Sequence, residues 1–123
     1  VYDAFYPEGW LKRQLNDVEA LCSDQETEVW VYQSGDVISG YLGLRIHPED
    51  SMGEVYIIAV DPKFQKTGIG KSLLEFAFDW MRKRDLKMVF VETGADRGHT
   101  PARIAYEKAG FDRYPVARYF KEL

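Results

Sequence analysis

The sequence contains one cysteine, Cys22, in 123 residues. That excludes an internal disulfide and any zinc site built from several thiolates. It also suits a reducing compartment, and the cytoplasm is the expected one. Only two histidines occur, His47 and His99, far apart and without an HExxH spacing, so no metal is expected. No apolar run is long enough to cross a bilayer, and the first ten residues, VYDAFYPEGW, lack the basic start and apolar centre of a leader. A membrane partner is therefore not expected. Positive charge is in short supply as well: 20 acidic against 16 basic residues leave a net charge of -4, with no basic tail. Nucleic acid is a poor partner for such a chain.

What the chain does have is apolar mass. Hydrophobic residues make up 46% and aromatics 15%, enough for one core in a single domain over residues 1–123. The chain opens on valine, which leaves room for an upstream first strand.

Trp10, Leu11, Leu15, Val18, Leu21 and Cys22 recur at helical spacing and predict a helix over 10–22. EVWVYQ and VISGYLGLRI, on either side of Ser34-Gly35-Asp36, predict a β-hairpin. Gly40 and Gly43 weaken its second strand and mark a bulge or a close approach by another segment. His47, before Pro48, falls in a loop and reads as a surface residue. Glu54 to Val60 is almost continuously apolar after its first residue, which predicts a strand buried on both faces. Leu73, Leu74, Phe76, Ala77, Trp80 and Met81 then give a long amphipathic helix with KRD as its exit. LKMVFVE is a fourth strand and TGADRGH an irregular loop.

Thr100 is placed to cap a helix that begins with Pro101 and carries Ala102, Ala105, Tyr106 and Ala109 on one face until Gly110 stops it. The tail FDRYPVARYFKEL has room for one or two short strands packed by Phe111, Tyr114, Tyr119 and Phe120, with Pro115 at an edge or bend. The order of elements predicts an α/β fold, a mixed sheet with helices packed on it.

The stretch QKTGIG lies between the third strand and the long helix. A strand, a glycine bend and a helix start gather several backbone amides and the positive end of a helix dipole around one small volume. Lys63, Lys66 and Lys71 make the region locally positive. The spacing is neither that of a nucleoside-triphosphate loop ending in GKS or GKT nor the dinucleotide GxGxxG. Taken alone, the stretch is an anion site or a bare turn.

VDPKFQKTGIGKSLLEFAFDWM, then LKMVFVET, then HTPARIAYEKAGF resembles the acyl-CoA-binding half of the GNAT superfamily of N-acetyltransferases over about residues 54–120. Gln65, Gly68 and Gly70 match one family signature; Ala102, Tyr106, Gly110 and Phe111 match a second, in which His99 stands at the place of an asparagine. The resemblance implies a mostly antiparallel sheet with splayed central strands and flanking helices. It implies acetyl-CoA as acyl donor, its pyrophosphate held by the amides of Gln65, Lys66, Thr67, Gly68, Ile69 and Gly70 with Lys71 beside them. The pantetheine arm is expected to pair with the main chain of Ile58, Ala59 and Val60.

The same resemblance assigns Glu54 as general base, directly or through water, and Tyr106 as general acid to the departing thiolate. A carboxylate in an apolar wall would suit the first role, because desolvation raises its pKa. A solvated strand-edge glutamate and a core tyrosine are the plainer alternatives. His99 is expected to contact the pantetheine, cap the helix or titrate in the site. Ala102 leaves space for the arm, and Arg103 either reaches the phosphates or pairs with Glu107, four residues on. The acceptor would be a primary amine on a small molecule or a peptide, attacked in a ternary complex. The tail's edge strands leave room for a homodimer. A non-catalytic acyl-CoA-binding or sensory module is the alternative function. Tyr2, Phe5, Tyr6 and Trp10 are candidates for the acceptor pocket or for the core.

Overall fold

The structure, a computed structural model, describes residues 26–123. The helix expected over 10–22, Cys22 and the aromatics Tyr2, Phe5, Tyr6 and Trp10 lie outside the described residues.

Four strands form one sheet in the order β1 (Glu28–Ser34), β2 (Val37–His47), β3 (Met52–Val60), β4 (Met88–Val91). The first three pair antiparallel and β4 runs parallel to β3. Helix α1 (Ile69–Arg82) makes the crossover from β3 to β4, and α2 (Thr100–Lys108) follows β4. Among the described residues, no helix is long and apolar enough to cross a membrane.

Alternation along β2 sends Leu42 and Leu44 to one face, where both are completely buried with Val55 of β3. Helix α1 covers that face with Ile69, Leu73, Leu74, Ala77 and Met81, the buried stripe its spacing predicts. Each of the larger ones, Ile69, Leu73, Leu74 and Met81, contributes about 1.5–3 kcal/mol once buried. Phe76 and Trp80 lie at the margin of the stripe and meet Trp30 of β1 edge-on, with ring centroids 5.1 and 5.2 Å apart. The helix can lie this close because Gly40 has no side chain: a Cβ there would come within 3.3 Å of Ile69 and Leu73 and 3.0 Å of the Ala59 carbonyl. Gly43 marks the bulge, since the β2–β3 register slips between Gly43 and Leu44 and leaves Tyr56 as the extra residue of β3.

Three expectations about the elements are corrected. β3 starts at Met52 and is not sealed on both faces: Tyr56 is exposed and Ile57 to Val60 are half-buried, because β4 reaches only to Val55 of β3. β4 itself spans four residues rather than the seven of LKMVFVE. No strand forms in residues 111–123; Tyr114, Val116, Tyr119 and Phe120 are exposed. A strand needs a neighbour for its hydrogen bonds, and no described strand pairs with this tail.

Both helices end in the same way. At the end of α1 the Leu86 amide donates to the Met81 carbonyl and the Asp85 amide to Arg82, with Asp85 left-handed at φ 58°. At the end of α2 the Phe111 amide donates to Tyr106 and the Gly110 amide to Glu107, with Gly110 at φ 99°. These are Schellman closures, whose left-handed residue favours glycine. An alanine Cβ at 110 would meet nothing within 4 Å, so its cost is backbone strain alone. Gly110→Ala is expected to destabilise the protein by about 1–2 kcal/mol, read as a lower urea midpoint at unchanged m-value.

Candidate functional site

The bend at 65–70 has two positive-φ residues, Lys66 at 64° and Gly68 at 88°. Gly68 is the N-cap of α1, its carbonyl accepting from the Ser72 amide at 3.0 Å. Among the described residues, the amides of Lys66, Thr67, Gly68, Ile69, Gly70 and Lys71 donate to no protein acceptor. Local contacts brace the bend: the Thr67 hydroxyl donates to the Phe64 carbonyl, and the Asp61 carboxylate accepts from the Lys63 amide at 2.9 Å. Lys66 and Lys71 are exposed beside it, with Lys71 only loosely paired to Glu75 at 4.0 Å. Free donors, a helix dipole and cations converge on one anion-sized place.

That place adjoins the open part of β3. The Gln65 side-chain amide donates to the Val60 carbonyl at 3.4 Å, and a Cβ on Gly70 would be 3.8 Å from the Val60 side chain. The β3–β4 ladder runs from Met52/Met88 to Val55/Val91 and stops. The Asp61 amide bonds the Ser39 carbonyl at 2.8 Å, and antiparallel pairs alternate between exchanging hydrogen bonds and not. Gly43/Ile57 and Tyr41/Ala59 are therefore the exchanging pairs, and Ile58 and Val60 turn their main-chain groups to the open edge. Strand β3 thus offers main-chain pairing positions a few residues from the unpaired amides.

Tyr106 packs half-buried against the core, its ring edge-on to Phe111 with centroids 5.8 Å apart. Phe111 meets Phe78 of α1 in turn at 5.6 Å. Among the described residues the Tyr106 hydroxyl has no hydrogen-bond partner. Burial pushes its pKa above the ordinary phenol value, so it holds its proton at neutral pH.

The start of α2 is built differently from the expectation. Thr100 is the first helical residue and His99 the N-cap, with no side-chain capping bond. The Thr100 hydroxyl instead accepts from Arg103 at 2.9 Å. Arg103 also donates to the carbonyls of Gly94 and Asp96, at 2.6 Å each. The Arg103–Glu107 pair does not form, because Glu107 binds Arg113 at 2.6 Å. Arg103 acts as a clasp that ties the loop after β4 to α2, and those contacts argue against a phosphate role. His99 meets Asp96 at 2.6 Å, the aspartate also accepting from the Gly98 amide at 3.1 Å. Gly94 allows this packing, since a Cβ there would sit 2.3 Å from Asp96 and 2.7 Å from His99. The glycines of TGADRGH announced an irregular turn, but no spacing rule announced the clasp.

Glu54 is mostly buried and accepts from His47, Oε1 to Nε2, at 2.8 Å. The expectation of a carboxylate in an apolar wall is corrected: one wall is an imidazole. The expectation of a surface loop for His47 is corrected too. It is the last residue of β2, half-buried, with its ring 5.6 Å from Phe90 of β4. The hairpin register pairs His47 with Met52 and Arg45 with Glu54, which puts His47 diagonal to Glu54. Counting residues back from the turn would have found this pair. A shallow cavity of about 460 Å³ lined by Glu26, Glu28, His47, Trp80 and Arg84 lies toward this end of β2, away from the glycine bend.

Residues 1–111 match the acetyltransferase (GNAT) family. The chain is 38% identical over 77 residues to a mycothiol acetyltransferase of Thermomonospora curvata, covering 63% of this chain and 25% of that protein. It is 31% identical over 120 residues to that of Geodermatophilus obscurus, covering 92% and 38%. The chain thus spans between a quarter and two-fifths of the length of these relatives. A solved GNAT-family protein from Desulfovibrio desulfuricans superposes with TM-score 0.76 at 25% identity, over 93% of this chain and 74% of that one.

The His99 hydrogen bond, helped by the Gly98 amide and opposed by burial, holds the Asp96 carboxyl below its ordinary pKa. A pKa depressed on folding contributes stability above the unfolded value, about 3.9, and loses it as pH falls toward the folded one. The stability difference between wild type and Asp96→Asn, measured by urea unfolding, is therefore expected to shrink as pH drops below about 4.

Proposed function

Starting from the fact that this chain belongs to the acetyltransferase (GNAT) family, we propose that it transfers an acetyl group from acetyl-CoA to a primary amine by direct attack in a ternary complex. The observation that carries this reading is the run of unpaired amides at residues 66–71 beside the open edge of β3. A pyrophosphate suits the first and an amide-bearing pantetheine arm the second, as a strand adds to a sheet edge.

In this mechanism Glu54, directly or through a water, takes a proton from the amine. The nitrogen attacks the thioester carbonyl, the C–N bond forms, and the C–S bond breaks. Tyr106 gives its hydroxyl proton to the departing thiolate. A phenol with a pKa above 10 is a weak donor to a thiolate whose ordinary value is about 8.5. However, the burial that raises Tyr106 would raise a thiolate held in the same surroundings too, so burial does not widen the gap between them. The mycothiol acetyltransferases point to a small amine-bearing acceptor, and a thioester donor with a lone cysteine fits a reducing cytoplasm.

The test is thiol release from acetyl-CoA over a panel of amines, with mass spectrometry of the product. The panel holds polyamines, amino-acid amides, a lysine peptide and the acceptor used by mycothiol acetyltransferases. Donor binding without turnover on any of them would make the chain an acyl-CoA-binding module instead. Gly68→Val, strained at φ 88° with nothing within 4 Å of its Cβ, is expected to weaken CoA at least about tenfold by calorimetry, roughly 1.4 kcal/mol. Tyr106→Phe should lower turnover about 10²-fold or more while CoA affinity holds. That defect should shrink with an acetyl donor whose thiol is more acidic. Equal, near-zero defects with both donors would return Tyr106 to a packing role.

A further inference from the structure

We propose that His47 is a positioning residue for Glu54: its Nε2 fixes Oε1 of the carboxylate and leaves Oε2 to face the acceptor amine. The proposal rests on the assignment of Glu54 as general base.

Glu54 does not take the partner that its strand register offers. The register sets Arg45 directly across from Glu54, the place where an ion pair normally forms. The Arg45 guanidinium instead donates to the Thr27 hydroxyl at 2.8 Å and stacks 3.5 Å from the centre of the Tyr56 ring. Tyr56 is the bulge residue of β3, so the same irregularity that ends the β3–β4 ladder supplies the surface that holds the arginine. Among the described residues, His47 is the only hydrogen-bond partner of Glu54.

The difference matters for a base. A permanent guanidinium charge beside a carboxylate stabilises the ionised form and makes it a poor proton acceptor. An imidazole N–H orients the carboxylate through one directed hydrogen bond, with no permanent charge beside it. The imidazole is itself held. His47 precedes Pro48, which restricts its backbone to extended conformations, and it has φ -112° and ψ 86°. Phe90 flanks the ring from β4. A stiff backbone, a flanking ring and one hydrogen bond are what an orienting residue requires.

Three single variants and one double variant test this, with kcat/KM measured on the mycothiol acetyltransferase acceptor and CoA affinity measured in parallel. His47→Ala should lose about 10- to 100-fold in kcat/KM, the scale of a slight misplacement of a reacting group, with CoA affinity intact. His47→Gln, whose side-chain amide can still donate to Oε1, should recover most of that loss. His47→Ala combined with Glu54→Gln should be no slower than Glu54→Gln alone, because residues that act as a unit do not add. Wild-type rates in His47→Ala with a slow Glu54→Gln would overturn the positioning role and leave the base intact. So would additive losses in the double variant, or a glutamine no better than alanine. Wild-type turnover in Glu54→Gln, or no turnover in the wild type, would overturn both assignments.

Discussion

Strand β3 has a neighbour on each side only as far as Val55. Beyond it Tyr56 bulges, and a bulge bends and twists its strand, so β3 leaves β4 as it passes that residue. Backbone donors and acceptors need partners, and the main-chain groups of Ile58 and Val60 are left facing outward. The other features of the site stand around this gap. Helix α1 begins at its end, with first-turn amides equally in need of an acceptor, and α2 brings Tyr106 to the core from beyond β4. The open edge at Ile58 and the unpaired amides of residues 66–71 lie side by side, and under the proposed function a ligand with a phosphate at one end and amides along its length would meet both.

The glycines and small contacts around the gap are closeness constraints as much as turns. Gly40 lets α1 rest on β2, Gly53 makes room for Met81, and Gly94 lets Asp96 and His99 meet. The Tyr106, Gly110, Phe111 pattern has a physical explanation. Gly110 takes the left-handed position of a Schellman closure, and Phe111 packs on the tyrosine whose carbonyl its amide binds. The same closure that ends α2 therefore holds the ring of Tyr106. Arg103 does the corresponding work at the other end of the helix, through two carbonyls and the Thr100 hydroxyl.

Much was legible in the chain because it depended on neighbours in sequence. The hairpin, the α1 stripe, the glycine bend with its unpaired amides at residues 66–71 and the α2 stop at Gly110 follow from periodicity, β-branching and the special freedom of glycine. A bulge and a close approach were legible as alternatives at Gly40 and Gly43; Gly43 flanks a bulge, and Gly40 flanks one in the β1–β2 pairing as well as letting α1 approach. Errors of one or two residues at strand and helix ends reflect hydrogen bonds that local pattern does not count.

Sequence by itself determined the hairpin, the two helices, the core stripe and the glycine bend, since these rest on backbone preferences and apolar spacing within a few residues. Only the tertiary structure decided which charges meet. Arg45 went to Tyr56 and not Glu54, Arg103 to loop carbonyls and not Glu107, and His47 to Glu54 and not solvent. A long charged side chain has several partners within reach, and the choice depends on desolvation and competing acceptors brought in from other strands. The tail from Asp112 onward shows the same limit, because a strand forms only against a neighbouring edge and no described strand pairs with these residues.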